Sequence, residues 1–344
     1  MERYIFEKGG EKQEVRFRPY KTSDFKMYLE CVQAFYKDGY PYKEYLQETR
    51  LHQKIIEKEL FVTVGETEDG KIISIVAAIL QTGSFTNSIL FMLRNVLPEY
   101  SGVGIASKQL DYMIEQLPKQ FPNAESVYAD VVTYNSISQQ SLIHRGYVLC
   151  GMRLMLYKNE IMVPNLTYDA GTKLTQTVYC LNLKNGIQKT IYVPEEHKER
   201  ISSIYQKLGV KAECLDMSDC IQEDNFKKQN HFQFTLMPEH EKAEWMIQEV
   251  SNNFVKEITI SFEQYEKMEH RTAVVYLNMC DSHCKTAWDY FRRKGFYFSG
   301  VKPLNQEYEY IMLSDTKHCN EQFKNIVLCE GEACLLEYIL ERKE

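Results

Sequence analysis

The chain has 344 residues, 44% hydrophobic and 26% charged, and its 16 Gly and 9 Pro are too few for a collagen-like or low-complexity protein. That length exceeds a usual single core of about 100–200 residues, so two domains are expected. The 41 Lys and Arg against 48 Asp and Glu leave a net charge of −7; no global field draws in a nucleic acid, and no local basic patch stands out.

The opening MERYIFEKGGEKQE is charged and lacks the apolar segment of a secretory signal. No apolar stretch approaches the ~18 residues of a membrane helix. A cytoplasmic protein with no membrane partner is expected, its ten cysteines reduced. Residues 14–18 (EVRFR) alternate as a strand does, and Pro19 ends it. Phe25, Tyr28, Leu29, Val32 and Phe35 then predict a helix over 23–36, and a second follows around 42–57. Strands are predicted at 60–66 and 71–81, joined through Glu68-Asp69-Gly70, and at 89–97. After PEYSGVGIAS (98–107), the face made by Ala106, Leu110, Met113, Ile114 and Leu117 predicts a helix stopped by Pro118. A strand at 126–133, a helix at 136–145 capped by Gly146 and a strand at 147–157 complete the first half.

The polar, turn-rich stretch 158–176 marks a boundary near 165–175. Beyond it, strands are predicted at 177–183, 190–193, 231–237, 272–279 and 296–301, and helices at 195–208, 239–253 and 283–294. The pattern is that of a mixed α+β fold. VYADVVTYNSISQQSLIHRGYVLCG (127–151) and VVYLNMCDSHCKTAWDYFRRKGFYFSG (274–300) form a weak internal repeat. Each reads strand, helix, basic residue, Gly-aromatic and a further Gly, at Gly146/Gly151 and Gly295/Gly300.

The chemistry concentrates in Val96-Leu97-Pro98-Glu99-Tyr100-Ser101-Gly102-Val103-Gly104-Ile105-Ala106, between a strand and a helix. Two glycines let the backbone turn so that several N–H groups face one point, and the helix N-terminus adds unpaired donors and a positive dipole end. Such a cradle holds a pyrophosphate without basic side chains. It lacks Gly-Lys-Ser/Thr, which excludes a P-loop.

These residues resemble motif A of the GNAT superfamily of N-acetyltransferases, whose pattern Gln/Arg-x-x-Gly-x-Gly/Ala falls on Ser101, Gly104 and Ala106; Ser101 departs from it. Asn135-x-x-Ser138 followed by Gly146-Tyr147 resembles motif B. The resemblance implies tandem folds, each with a mixed, mostly antiparallel sheet flanked by helices: an acetyl-CoA-binding domain over 1–165 and a degenerate copy over 175–344. It implies acetyl-CoA as cosubstrate, held by Val96, Ser101, Gly102, Val103, Gly104, Ile105, Ala106, Ser107, Asn135 and Ser138, with no metal. IYVPEEHKERISSIYQKLGV (191–210), RKGFYFSGVKP (293–303) and GEACLLEYIL (331–340) look like bacterial tandem proteins of this kind, some fused to anti-sigma-factor-type ATPase domains. That leaves open an anti-sigma-type regulatory partner.

The implied activity is acetyl transfer to a small-molecule or peptide amine by direct attack. The amine must lose a proton and the leaving thiolate must gain one. The family's usual Tyr acid, four residues before the motif B glycine, is replaced by Leu142. Tyr134, His144 and Tyr147 lie nearby as substitutes, and Glu99 and Asp130 are candidate bases, with burial expected to raise a carboxylate pKa; a water chain is the alternative. Cys280, His283 and Cys284 have metal-like spacing but lack the close paired set that zinc prefers. The competing class is a CoA-binding regulatory module without turnover.

Overall fold

The structure, a computed structural model, describes residues 2–40, 42–162, 168–169, 171–219 and 229–343. In chain order it contains β1 (Glu2–Lys8), β2 (Glu11–Pro19), α1 (Phe25–Tyr36), α2 (Glu48–Ile56), β3 (Leu60–Thr67), β4 (Ile72–Leu80), β5 (Ser88–Val96), α3 (Ile105–Gln120), β6 (Ser126–Val132), α4 (Ile137–Ile143), β7 (Val148–Lys158) and α5 (Asn159–Met162). There follow β8 (Lys173–Asn182), β9 (Gln188–Val193), α6 (Lys198–Lys207), β10 (Lys211–Asp216), β11 (His231–Met237), β12 (Lys242–Glu249), α7 (Phe254–Glu266), β13 (Thr272–Asn278), α8 (Cys284–Arg293), β14 (Tyr297–Asn305), β15 (Tyr308–Asp315) and α9 (Ala333–Glu341). The class is the expected mix of helices with a mostly antiparallel sheet. Among the described residues no helix is long and apolar enough to cross a membrane.

Contacts divide the chain into two compact units: Met1–Gln81, Asn87–Val127 and Asn159–Gly171 in one, and Thr82–Thr86, Tyr128–Lys158 and Thr172–Glu344 in the other. Of the boundary expected at 165–175, residues 165–167 and 170 lie outside the described residues.

In the first unit β1 to β5 form an antiparallel meander in chain order. Gly9 (φ +60) and Gly10 (φ +84) supply the two left-handed residues of a tight β1–β2 hairpin, an element the sequence reading passed over because of its charges. Val15, Phe17, Val32, Leu51, Val64 and Ile75 are fully buried beneath the helices. Arg18, 5% exposed, closes one edge with a bidentate bond to Asp24 (2.7 and 3.0 Å) and further bonds to Glu66 (both 2.9 Å). Pro118 does not stop α3 as expected. It sits in the last turn, and the helix runs to Gln120.

In the second unit the sheet order is β6-β8-β7-β14-β15-β13-β12-β11, with β12 and β13 parallel and β9 with β10 a separate parallel pair. The helix expected over 239–253 is wrong. Ala243, Trp245 and Ile247 alternate and are fully buried, a period of two that the flanking charges disguised, and they form β12. The helix lies further on, as α7, whose Val255, Ile258, Thr259 and Ile260 are poor helix formers. It packs Phe262 and Tyr265 against Trp245, whose indole N–H donates to Ser261 Oγ at 2.8 Å.

The internal repeat acquires a geometry here. β6–α4–β7 and β13–α8–β14 are each strand, helix, strand, and the order β6-β8-β7 then β14-β15-β13 is symmetric about its centre. Asn135 Oδ1 accepts from Ile137 N (3.1 Å) as Asp281 Oδ1 accepts from His283 N (3.0 Å), the same Asx turn at the start of each helix. At the centre β7 and β14 run antiparallel with Gly151 opposite Gly300, so equivalent residues of the two copies meet on a local two-fold axis. A Cβ on Gly300, whose φ is +130, would lie 2.2 Å from Gly151 Cα and 2.6 Å from Cys150 O. A Cβ on Gly151 would lie 2.1 Å from the end of the flexible Met312 side chain, and 3.0 Å from Gly300 Cα and Ser299 O.

Gly300→Ala is therefore expected to cost more than about 3 kcal/mol, because only backbone stands in the way, and Gly151→Ala clearly less. Denaturant midpoints of the two variants order them; equal losses would contradict the close-approach argument. A second prediction concerns His197, 3% exposed, stacked on Phe298 (4.3 Å) and bonded through Nδ1 to Tyr338 Oη (2.8 Å). Burial, then Arg292 and Arg342, push its pKa down to about 3. The folded state keeps it neutral while the unfolded chain takes up a proton below the ordinary value near 6.5, so its contribution to stability is lost as pH falls through that window. Between pH 6.5 and 5 the native protein should lose up to about 1.4 kcal/mol per pH unit more than His197→Gln, read by urea titration.

Candidate functional site

The turn leading into α3 is built within the first unit. Leu97 N donates to Ile73 O (2.9 Å), so by strand alternation the N–H and C=O of Val96 face the edge of β5 away from β4. Residues 98–100 make one 3₁₀ turn, in which Tyr100 N bonds Leu97 O (2.8 Å) and Ser101 N bonds Pro98 O (3.1 Å). Gly102 (φ +83) and Gly104 (φ +86) then bend the chain through left-handed conformations, and α3 starts at Ile105. Its first intrahelical bond in this turn is Lys108 N to Gly104 O (3.1 Å), and no side chain caps it. The first-turn amides thus present an uncapped, electropositive end.

One residue that the sequence reading missed fixes this turn. Tyr4 of β1 donates its hydroxyl to Val103 O at 2.9 Å. In a trans peptide the carbonyl and the following N–H point in opposite directions, so tying Val103 O to β1 aims Gly104 N–H the other way. Tyr4 stacks on Phe6 (6.3 Å), Phe6 packs edge-on to Tyr100 (6.3 Å), and the Lys8 ammonium lies 4.1 Å from the Tyr100 ring centre. Gly104 is required twice over, by its φ and because a Cβ there would lie 2.7 Å from Tyr4 Oη. Alternation across the Gly9-Gly10 turn signals the hairpin, but nothing local announces a contact 99 residues away.

Asn135 and Ser138 belong to the other unit. Asn135 uses Oδ1 in its Asx turn and its carbonyl to accept from Gln139 Nε2 (3.0 Å), while its side-chain Nδ2 makes no hydrogen bond among the described residues. Ser138 is half-buried on the first turn of α4. Leu142 is buried at the place of the missing acid, and Tyr147 is 4% exposed and part of the core. His144 is exposed at the end of α4, and Tyr134 is half-buried just past the end of β6, with no hydrogen bond among the described residues.

The candidate bases do not behave as expected. Glu99 is exposed, and its own backbone N–H and then Lys71 (3.0 Å) lower its pKa rather than raise it. Asp130 is paired with Arg153 at 2.9 Å. Cys280 and Cys284 form no disulfide among the described residues, and burial raises the pKa of Cys280 to about 11. No group of three or more His, Cys, Asp or Glu among the described residues is arranged to hold a metal.

No protein-family model matches the chain, and no curated protein matches it. Among solved structures, the ribosomal-protein-S18-alanine N-acetyltransferase from Escherichia coli aligns at 14% identity over 50% of this chain and 96% of its own, with a TM-score of 0.38. An N-acetyltransferase from Staphylococcus aureus Mu50 aligns at 19% identity over 49% and 99%, with a TM-score of 0.38. A spermidine N-acetyltransferase from Vibrio cholerae aligns at 16% identity over 48% and 92%, also at 0.38. Scores this low carry no functional argument, which has to come from the residues themselves.

The Tyr4 bond yields a prediction. Tyr4→Phe keeps the ring packing and frees Val103 O, so affinity of this turn for a pyrophosphate-bearing ligand, probed with CoA, should fall about 3- to 10-fold with a stability loss within about 1.5 kcal/mol. Gly104→Ala should weaken the same ligand at least as much. Calorimetric titration of both variants checks this, and an unchanged dissociation constant for both would contradict the assignment of the turn.

Proposed function

We propose that the chain is an N-acetyltransferase of GNAT type, transferring acetyl from acetyl-CoA to an amine by direct attack. The observation that carries the reading is the turn Gly102–Gly104 before α3, left-handed at both glycines, uncapped, and pinned from behind by Tyr4. Such a turn fits a pyrophosphate: Gly102, Val103, Gly104, Ile105, Ala106 and Ser107 would hold it through backbone, with Ser101 closing the turn. Val96 has backbone groups turned away from β4, suited to an amide-bearing pantetheine arm, and the motif B resemblance proposes Asn135 for a contact with CoA. Acetyl-CoA supplies the activated thioester; the protein holds the carbonyl and brings up the amine.

The acid is assigned to Tyr134, whose hydroxyl carries no competing hydrogen bond among the described residues, while Tyr147 is packed in the core. With Glu99 held ionised at the surface and Asp130 paired to Arg153, water takes the proton from the incoming amine. The domain division 1–165 and 175–344 belongs to this reading, with the second copy degenerate. Support comes from its equivalent turn: only Val250–Asn253 separates β12 from α7. Val250 N donates to Asp281 Oδ2 (2.8 Å) and Asn278 Nδ2 to Gln248 O (3.0 Å), so side chains tie together the ends of the two parallel strands.

Leu142 at the acid's place favours one second reading, a CoA-responsive regulatory module, to which an anti-sigma-type partner would belong. Acetyl-CoA with a panel of amines separates the two by release of free thiol. Amine-dependent release, reduced at least 10-fold in Tyr134→Phe, is expected. Binding by calorimetry without release would establish the second reading, and no binding at millimolar CoA would overturn both.

A further inference from the structure

Strand registers place Arg153, Gln176, Lys302, Tyr310, Tyr276 and Glu244 on one face of the second unit's sheet. Arg153 and Lys302 each lie two residues beyond the paired glycines, so the local two-fold relates two cations. Their surroundings differ. Arg153 is bound by Asp130 (2.9 Å), Glu244 (2.8 Å) and Gln176 (3.0 Å). Lys302 is 3% exposed, and its ammonium rests on the rings of Phe85 (3.9 Å) and Tyr128 (4.7 Å) with no hydrogen bond or ion pair among the described residues.

The other buried lysines of this unit are satisfied. Lys173 Nζ donates to Glu241 O (3.0 Å), His270 O (2.7 Å) and Thr272 Oγ1 (3.1 Å). Lys242 Nζ bonds Glu244 at 2.8 Å and lies over Tyr157. A buried ammonium lacking any acceptor is costly unless something else completes it. Burial lowers the Lys302 pKa, and the largest opposing influence is Asp130. On Asp130, one oxygen binds Arg153, while Oδ1 is buried with no partner. The same neighbourhood therefore holds one unmatched donor cation and one unmatched carboxylate oxygen, too far apart to bond each other.

We propose that Asp130 Oδ1 and Lys302 Nζ are the two ends of a binding site for a zwitterion, a free α-amino acid, whose amino group meets Asp130 and whose carboxylate meets Lys302. Phe85, Tyr128, Tyr276 and Tyr310 supply its aromatic walls. As the acceptor of the reaction above, this names the substrate class and rests on that reading; binding itself does not depend on turnover.

The test is calorimetry and thermal shift of the full chain with the twenty amino acids, alongside methyl esters, which lack the carboxylate, and N-acetyl derivatives, which lack the charged amine. Saturable binding of at least one free zwitterion is expected, weakened at least 10-fold by removing either group. Lys302→Met should lose discrimination against the ester, and Asp130→Asn against the N-acetyl form, each variant being confirmed folded by near-UV circular dichroism. If Lys302→Met does not fold, Lys302→Arg and the ester series on the native protein decide the same point. No zwitterion binding, or equal binding of ester and acid, overturns the proposal. Acetyl transfer to amines lacking a carboxylate, with no binding of amino acids, would overturn it while leaving the acetyltransferase reading intact. Binding without transfer would support the site and remove that reading.

Discussion

Two backbones touch at Gly151 and Gly300, and much of the second unit follows from the absence of side chains there. A Cβ on Gly300 would sit inside the opposite main chain, so β14 can run beside β7 only with glycine at that point. The contact sets the register between β7 and β14, and with it the symmetric order of the two strand–helix–strand copies. Register in a sheet decides which face each side chain occupies. The glycine contact therefore also decides that Arg153 and Lys302 emerge on one face, among tyrosines and carboxylates.

Much of this was legible in the sequence, for local reasons. The repeat could be read because both glycines and the aromatics after Gly146 and Gly295 survive, and because helix length differs without disturbing strand order. Elements with a clean period, such as β3, β4 and α3, emerged close to their true bounds. β12 did not, because Glu241, Lys242, Glu244 and Glu249 resemble the polar face of a helix when read alone. In the folded unit Glu244 is held by Arg153 and Lys242, whose charges outweigh its burial and hold its pKa down to about 2. Charged residues inside a sheet make sense only once their partners, distant in sequence, are known.

The candidate site divides in the same way. Gly102 and Gly104 were legible because a left-handed turn before a helix leaves a compositional mark. Tyr4 was not, because its role is a hydrogen bond to a carbonyl far along the chain. Glu99 pairs with Lys71, a partner that sequence proximity to the turn does not reveal. Lys302 shows the limit most clearly: in sequence it is one lysine among many, and its isolation is a property of what surrounds it.

The two-fold relation has an evolutionary corollary. Had the same β7–β14 pairing joined two identical chains, each position on one side would have been copied on the other, and every change would have appeared twice. Carried within one polypeptide, the two copies mutate separately. Arg153 could recruit Asp130, Glu244 and Gln176 while its counterpart Lys302 was left on aromatic rings, an asymmetry that no symmetric pair of identical chains can encode.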